Sequence, residues 1–306
     1  MLKKFKIVEN KLVEDGDSAC PVEVYVCPDE KEKRYLIDTL KIDEHNVNSA
    51  LDPNELSRVE FDEGHAVIII KRPKRYSSED NFIFKISSLG LFVFPNKLIV
   101  VRTEEASIFD NREFQKVQSI QDIVLRVIRR CIMHFEEHLQ VLQSISDELE
   151  EKINRSMENK HLHNMFSLEK SLVFYLNAIS SNTRAIEKLK ANTAKLSLTQ
   201  QQCDYLDDLI IENYQCFEQA NTYSQVLSNM MDAWVSIVSN NLNILIKKLT
   251  FVMISIMVPT LVISLFSMNV KLPFEQDVSL APFWMISMLA TFSGAAVFLI
   301  WWFKKL

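Results

Sequence analysis

Eighteen consecutive residues, Leu249 to Phe266, carry no charge, and that stretch restricts the fold more than any other. A helix crossing a bilayer core needs ~20 apolar residues. A second uncharged stretch, Phe283 to Phe303, follows after a short polar loop. The chain is therefore expected to contain a membrane hairpin. Polar residues recur inside the first stretch in a pattern. Steps of 3, 3, 4, 4, 3, 4 and 3 from Asn243 reach Ile246, Leu249, Met253, Met257, Thr260, Ser264 and Ser267, all on one helical face. That face is polar at both ends and apolar in the middle, while Phe251, Val252, Ile254, Leu261, Val262, Leu265 and Phe266 point elsewhere. Such a stripe either bonds across to a neighbouring helix or lines a water-filled lumen with an apolar constriction.

The flanking charges orient the hairpin. Lys247 and Lys248 precede the first segment, and Lys304 and Lys305 follow the second. The loop between carries Lys271 against Glu275 and Asp277. The excess of lysine outside the hairpin predicts both termini in the cytoplasm, and MLKKFKIVEN has no apolar core of a signal peptide. The net charge of −6 comes without a basic, aromatic-laced stripe, which argues against nucleic acid as a partner. Five scattered cysteines, Cys20, Cys27, Cys131, Cys203 and Cys216, show no zinc spacing and suit a reducing compartment.

Upstream, residues 1–110 read as a cytosolic α/β domain. Val22–Val26, Ala66–Ile70, Phe82–Ile86, Leu89–Phe94 and Leu98–Val101 are short β-branched or aromatic runs between Gly, Pro, Asn and Asp. Pro95-Asn96 joins the last two as a hairpin. From Asn96 to Val258 there is neither Gly nor Pro, which predicts long helices for a stalk over 111–248. Phe135, Leu139, Leu142, Ile145, Leu149 and Ile153 form one apolar stripe. Leu168, Leu172, Tyr175 and Ile179 form a second, and a third begins near Gln201 and runs through Leu206, Asn213, Ala220, Leu227 and Trp234. If that last helix continues into the membrane it is roughly 100 Å long at ~1.5 Å per residue. The membrane part is 249–306, with 249–269 and 283–303 as its helices. The fold class is thus an α+β membrane protein.

Three motifs have a bland reading beside a sharp one. His134-Phe-Glu-Glu-His138 fits the inverted zinc-protease pattern H-x-x-E-H, but no third ligand is evident and the segment reads as an acidic helix. Asn154-Arg-Ser156 is a glycosylation sequon that cytosolic placement cancels. The acidic run Asp147 to Glu151 is either a solvated helix face, or a collector of cations or partner of the basic residues near the membrane. No phosphate-binding loop is present, so ATP coupling is not supported.

Met257-Val-Pro259-Thr260 and Phe266-Ser267-Met268-Asn269 resemble the first transmembrane helix of the CorA family of magnesium transporters. In that family the helix closes on Tyr-Gly-Met-Asn; here Phe266 replaces the Tyr and Ser267 the Gly. Asn243 and Lys248-Leu249-Thr250 match at the family's spacing. Weaker likenesses run through Leu51 to Glu60, Leu89-Gly-Leu-Phe-Val and Leu98 to Arg102. The resemblance implies a funnel-shaped homopentamer in the inner membrane, passing hydrated Mg²⁺ without catalysis. It makes Asn269, with Met268 and Ser267, the filter, and Thr260 and Asn243 further polar rings. Met257, Met253, Leu249 and Ile246 become the apolar gate, and Glu275 and Asp277 the acids of the mouth. Lys247, Lys248, Lys304 and Lys305 supply a basic ring. Asp208 occupies the family's regulatory-metal position, with Glu79 or Asp80 as its partner beside the basic run Lys71 to Arg75. Two alternatives stay open: a relative carrying another divalent ion such as zinc, cobalt or nickel, and a non-conducting relative in which Ser267 is the lesion.

The topology is testable in a cysteine-free background. Ser279→Cys is expected to react with an impermeant thiol reagent added outside, and Lys305→Cys is not. The reverse labelling pattern would overturn the orientation.

Overall fold

The structure, a computed structural model, describes residues 1–15, 20–76, 82–104, 108–109, 112–155, 159–268 and 281–304. The chain forms two compact units, Met1–Met231 and Asp232–Leu306. In the first, seven strands make one sheet: β1 (Leu2–Val8), β2 (Lys11–Glu14), β3 (Val22–Val26), β4 (Arg58–Asp62), β5 (His65–Pro73), β6 (Ile86–Val93) and β7 (Leu98–Arg102). Their order is β2-β1-β3-β7-β6-β5-β4. Only β3 and β7 pair in parallel; the other neighbours are antiparallel. The β6–β7 turn closes where Pro95-Asn96 predicts, with Phe94 N–H donating to Lys97 O at 2.8 Å around a proline at the second turn position. Three strands escape the sequence pattern. In β1, Lys3, Lys4 and Lys6 alternate around a single buried residue, Phe5, and β2 and β4 are short and charged. Phe82 to Lys85, expected as strand, is not one. There the Phe84 N–H leaves the sheet to bond Ser171 Oγ at 2.9 Å.

The helices are α1 (Glu30–Arg34, passing into a π turn), α2 (Glu44–Leu51), α3 (Ile120–Arg155), α4 (Asn159–Lys190), α5 (Gln200–Phe266) and α6 (Ala281–Lys304). Caps, not glycine or proline, punctuate the long helical run. Asp122 N–H donates to Ser119 Oγ at 3.2 Å and Ser119 N–H returns to Asp122 Oδ2 at 3.2 Å, starting α3. Thr199 and Gln202 repeat this reciprocal pattern at the start of α5, satisfying N–H groups that a helix end leaves orphaned.

Alternation along β5 divides the first unit into layers. Val67 and Ile69 join Tyr25, Val47, Ala50, Phe92 and Ile99 in the core under α2. The opposite face lies under α3 and α4, which both pack on β5. Gly90 lets α2 sit close, because a Cβ there would collide with that of Ala50. On the α4 side a side chain replaces a strand. Asn182 Nδ2 donates to Lys71 O at 2.9 Å, and its Oδ1 accepts from Lys71 N at 2.8 Å, two residues beyond Ile69, where the β4–β5 ladder ends. Both residues of that contact are buried, where an unpaired amide or peptide group would be costly, and the pairing fixes α4 against the sheet.

In the second unit α5 and α6 pack along a narrow seam. The less exposed positions of α5 are Phe251, Ser255, Val258, Pro259, Val262 and Phe266, and those of α6 are Ile286, Ser287, Ala290, Ser293, Gly294 and Val297. The α6 set is rich in small residues, which let helix backbones approach in a membrane. Pro259 has no N–H to donate to Ser255 O. Gly294 faces that spot: a Cβ there would lie 2.8 Å from Pro259 Cγ and 3.3 Å from Ser255 O. Both α5 and Ala281–Ile300 of α6 are long and apolar enough to cross a membrane.

Gly294→Ala is expected to destabilise the hairpin by ~1–3 kcal/mol through overpacking, lowering the melting temperature of the purified protein. Pro259→Ala added to it removes the ring and should restore part of the loss. Additive losses in the double variant would disprove the contact.

Candidate functional site

The residues of the polar stripe fall on one side of α5, and the structure decides which side. At ~100° per residue they lie nearly opposite the seam with α6. Asn243, Ile246, Leu249, Met253, Met257, Thr260, Ser264, Ser267 and Met268 are all exposed, with Met257 at 66%. The stripe therefore does not bond across to α6. From Asn243 to Ser267 it covers roughly 36 Å at ~1.5 Å per residue, enough for a hydrocarbon core of ~30 Å.

Two of its hydroxyls are already spent as donors. Thr260 Oγ1 donates to Ile256 O at 2.8 Å and Ser267 Oγ to Ser264 O at 2.9 Å. Thr250, next to the stripe, does the same to Ile246 O at 2.8 Å. Each oxygen keeps its lone pairs for an outside donor. Ser267 needs no unusual backbone: its N–H donates to Ile263 O at 3.1 Å, continuing the helix, and its φ is not among the positive ones. A serine here stores no left-handed strain. Lys247 and Lys248 are exposed on α5, and Lys304 ends α6. Asn269, Glu275, Asp277 and Lys305 lie outside the described residues.

The soluble candidates separate. Asp208 is exposed and borders a cleft of about 850 Å³ with Asp122, Asp204, Lys116 and Arg126. Asp122 is committed to capping, accepting from Gln118 N at 2.9 Å and Gln202 Nε2 at 2.7 Å. Glu79 and Asp80, the expected partners of Asp208, lie outside the described residues. The basic run beside them is thinner than its sequence suggests, because Lys71 and Arg72 are buried in β5. Lys71 Nζ donates to Pro53 O at 2.9 Å and Ser88 Oγ at 2.7 Å, and burial pulls its pKa down to about 8. That buried lysine was not read from sequence; no local pattern marks it. The small-residue spacing of Ala290 and Gly294 would have marked the hairpin seam.

His134 and His138 share a face of α3 with ring centroids 4.5 Å apart. His138 Nδ1 and the Tyr175 hydroxyl of α4 are hydrogen-bonded at 2.8 Å, and Phe84 packs edge-on to both rings. Among the described residues no group of three His, Cys, Asp or Glu is placed to hold a metal. The pair is a packing element. Burial, aided by its neighbour His138, lowers the pKa of His134 to about 3. Burial, opposed by Glu137, lowers that of His138 to about 4.

Together these features define a class: a chain with an α/β domain and one continuous helix that carries a polar stripe into an apolar hairpin. The family model described as CorA-like Mg2+ transporter protein matches residues 25–305, and the chain belongs to that family of divalent-cation transporters. The cobalt/magnesium transport protein CorA of Methanocaldococcus jannaschii is 24% identical over 258 residues, 79% of this chain and 77% of that protein. Its namesake from Thermotoga maritima is 22% identical over 269 residues, 83% and 73% of the two chains. The complete structure of the M. jannaschii CorA magnesium transporter superimposes with a TM-score of 0.81 at 22% identity, covering 98% of this chain and 96% of the other. The fold is shared from end to end.

Unfolded, each histidine titrates near ~6.5. Below that pH the unfolded chain takes up protons that the folded one refuses until about 4 and about 3. Stability is therefore complete above ~6.5 and falls as the pH drops below it. The melting temperature of the full-length protein should decline from about pH 7 to about pH 5, and His134→Gln/His138→Gln should flatten the decline. An unchanged slope in the double variant would show that other groups carry it.

Proposed function

We propose that this chain passes hydrated Mg²⁺ passively across the inner membrane. The conducting form is a homopentamer whose lumen is lined by the stripe of α5, with both termini cytoplasmic. The observation that carries the reading is the stripe's position, exposed and turned away from α6. Mg²⁺ holds its waters tightly in octahedral geometry, so a pore that takes the ion whole must meet water hydrogens with acceptors. Thr260 and Ser267 offer such oxygens, their protons being bound to their own helix. Symmetry turns each into a ring, Asn269 adds a ring of amide oxygens as the filter, and Asn243 a last ring at the cytosolic side. Met257, Met253, Leu249 and Ile246 make the apolar gate, which closes by dewetting. Glu275 and Asp277 concentrate cations at the mouth. Lys247, Lys248, Lys304 and Lys305 raise the electrostatic barrier at the base, and Asp208 with Glu79 or Asp80 binds the ion as a regulator.

An interior-negative potential supplies about 4–5 kcal/mol per divalent ion per 100 mV, so no pump is required. The ordinary helical geometry at Ser267 supports conduction over the non-conducting reading. The relatives' names pair cobalt with magnesium, which favours those two ions over zinc.

The test is divalent-ion uptake into liposomes holding the purified protein, with Mg²⁺, Co²⁺, Ni²⁺ and Zn²⁺ compared. Wild type and Ser267→Gly are expected to carry Mg²⁺ at comparable rates. Asn269→Ala should abolish uptake while the oligomer stays intact. A silent wild type rescued by Ser267→Gly would establish the non-conducting reading, and undiminished uptake in Asn269→Ala would remove the filter.

A further inference from the structure

Between α3, α4 and α5 in the first unit lies a groove of about 210 Å³. Leu168 and Leu172 of α4 and Leu227 of α5 form its apolar floor, and all three are buried. Tyr223 lines one wall, its hydroxyl donating to Gln143 Oε1 and accepting from Gln219 Nε2 at 2.8 Å. The polar bonds of that tyrosine are thus filled at the hydroxyl, leaving the ring as its contribution to the wall. The charged residues of the lining are Asp147 and Glu150.

The acidic run of α3 divides at this groove. Glu148, which points elsewhere, pairs with Lys152 at 2.5 Å. Asp147 and Glu150, which line the groove, make no ion pair among the described residues.

We propose that the groove binds a small organic amine, its ammonium held by Asp147, Glu150 and the Tyr223 ring and its apolar body set on the leucines. Carboxylates give an ammonium charge-assisted bonds, and an aromatic ring attracts a cation within about 6 Å of its centroid. The other occupants fit worse. A hydrated divalent ion gains nothing from a floor of leucine. An anionic lipid headgroup or phosphate meets two carboxylates. The volume falls below the ~300–1,000 Å³ of sites for drug-sized ligands, which excludes a peptide helix. This site lies apart from the proposed pore, and binding is read without measuring flux.

The experiment is equilibrium dialysis of radiolabelled phenethylammonium against the full-length protein in lipid nanodiscs, with empty nanodiscs as the blank. Saturable binding of one molecule per chain is expected, with 2-phenylethanol a poor competitor. Asp147→Asn/Glu150→Gln, both exposed changes, should weaken binding at least about ten-fold. Val226→Trp, at an exposed position of the lining, narrows the groove and should abolish it with the melting temperature retained. Binding no greater than the blank would overturn the proposal, including the case in which a second copy of the chain covers the groove. So would equal competition by the neutral alcohol, or unchanged affinity in the charge variant.

Discussion

A helix in hydrocarbon must satisfy its own backbone polar groups, since no water is there to do so. α5 carries Pro259 inside its apolar stretch, and that proline leaves Ser255 O without its usual donor. The structure answers by packing. Gly294 of α6 is brought against the Ser255 carbonyl and the Pro259 ring so closely that a methyl group would not fit. This contact fixes the rotation of α5 within the hairpin. Once the Ser255–Pro259 side faces α6, Thr260, Ser264 and Ser267 have to face the other way. The proline and the polar stripe are therefore one constraint seen from two sides of the helix.

The first unit solves a related problem with side chains. α4 has to lie on a sheet whose β4–β5 ladder stops at Arg58 opposite Ile69, leaving Lys71 with unpaired backbone groups on that side. Asn182 fills the gap with an amide that matches both, and Ser57 Oγ donates to the same Asn182 oxygen at 2.6 Å. Buried polar bonds of this kind contribute little net energy, about 0.5–1.5 kcal/mol each, but leaving one partner unmet costs more. They fix the register of α4 on the strand. The Tyr175–His138 bond makes a second such tie, from α4 to α3.

Where the physics was periodic, sequence and structure agree. The apolar steps of Phe135, Leu139, Leu142, Leu149 and Ile153 are buried as expected, with Ile145 at the margin. Leu168, Leu172, Tyr175 and Ile179 are all buried. The stripe of α5 likewise keeps one face. What was not legible depends on pairing at a distance. β1 hides its strand pattern behind three lysines because it pairs near the sheet edge, where little burial is asked of it. The start of α3 was invisible to a search for Gly and Pro, because a reciprocal cap sets it instead, whereas α5 starts at Gln200, beside the Gln201 expected. Lys71 reads as part of a basic surface run, yet its ammonium sits among carbonyls and a hydroxyl that come from Pro53 and Ser88. No local spacing encodes that.

The hydroxyls of the stripe link fold to proposed function. A serine or threonine in an apolar helix lowers its own cost by donating to a carbonyl three or four residues back, and Thr260 and Ser267 both do so. That bond is a consequence of helix geometry, required whether or not an ion ever passes. Its by-product at these two positions is a hydroxyl oxygen with its lone pairs outward and its proton held by the helix. Such oxygens accept from the hydrogens of water bound to a cation, whereas the waters around an anion present oxygen to them. On the proposed reading, discrimination by sign thus begins in the backbone hydrogen bonding of α5, before any formal charge at the mouth acts.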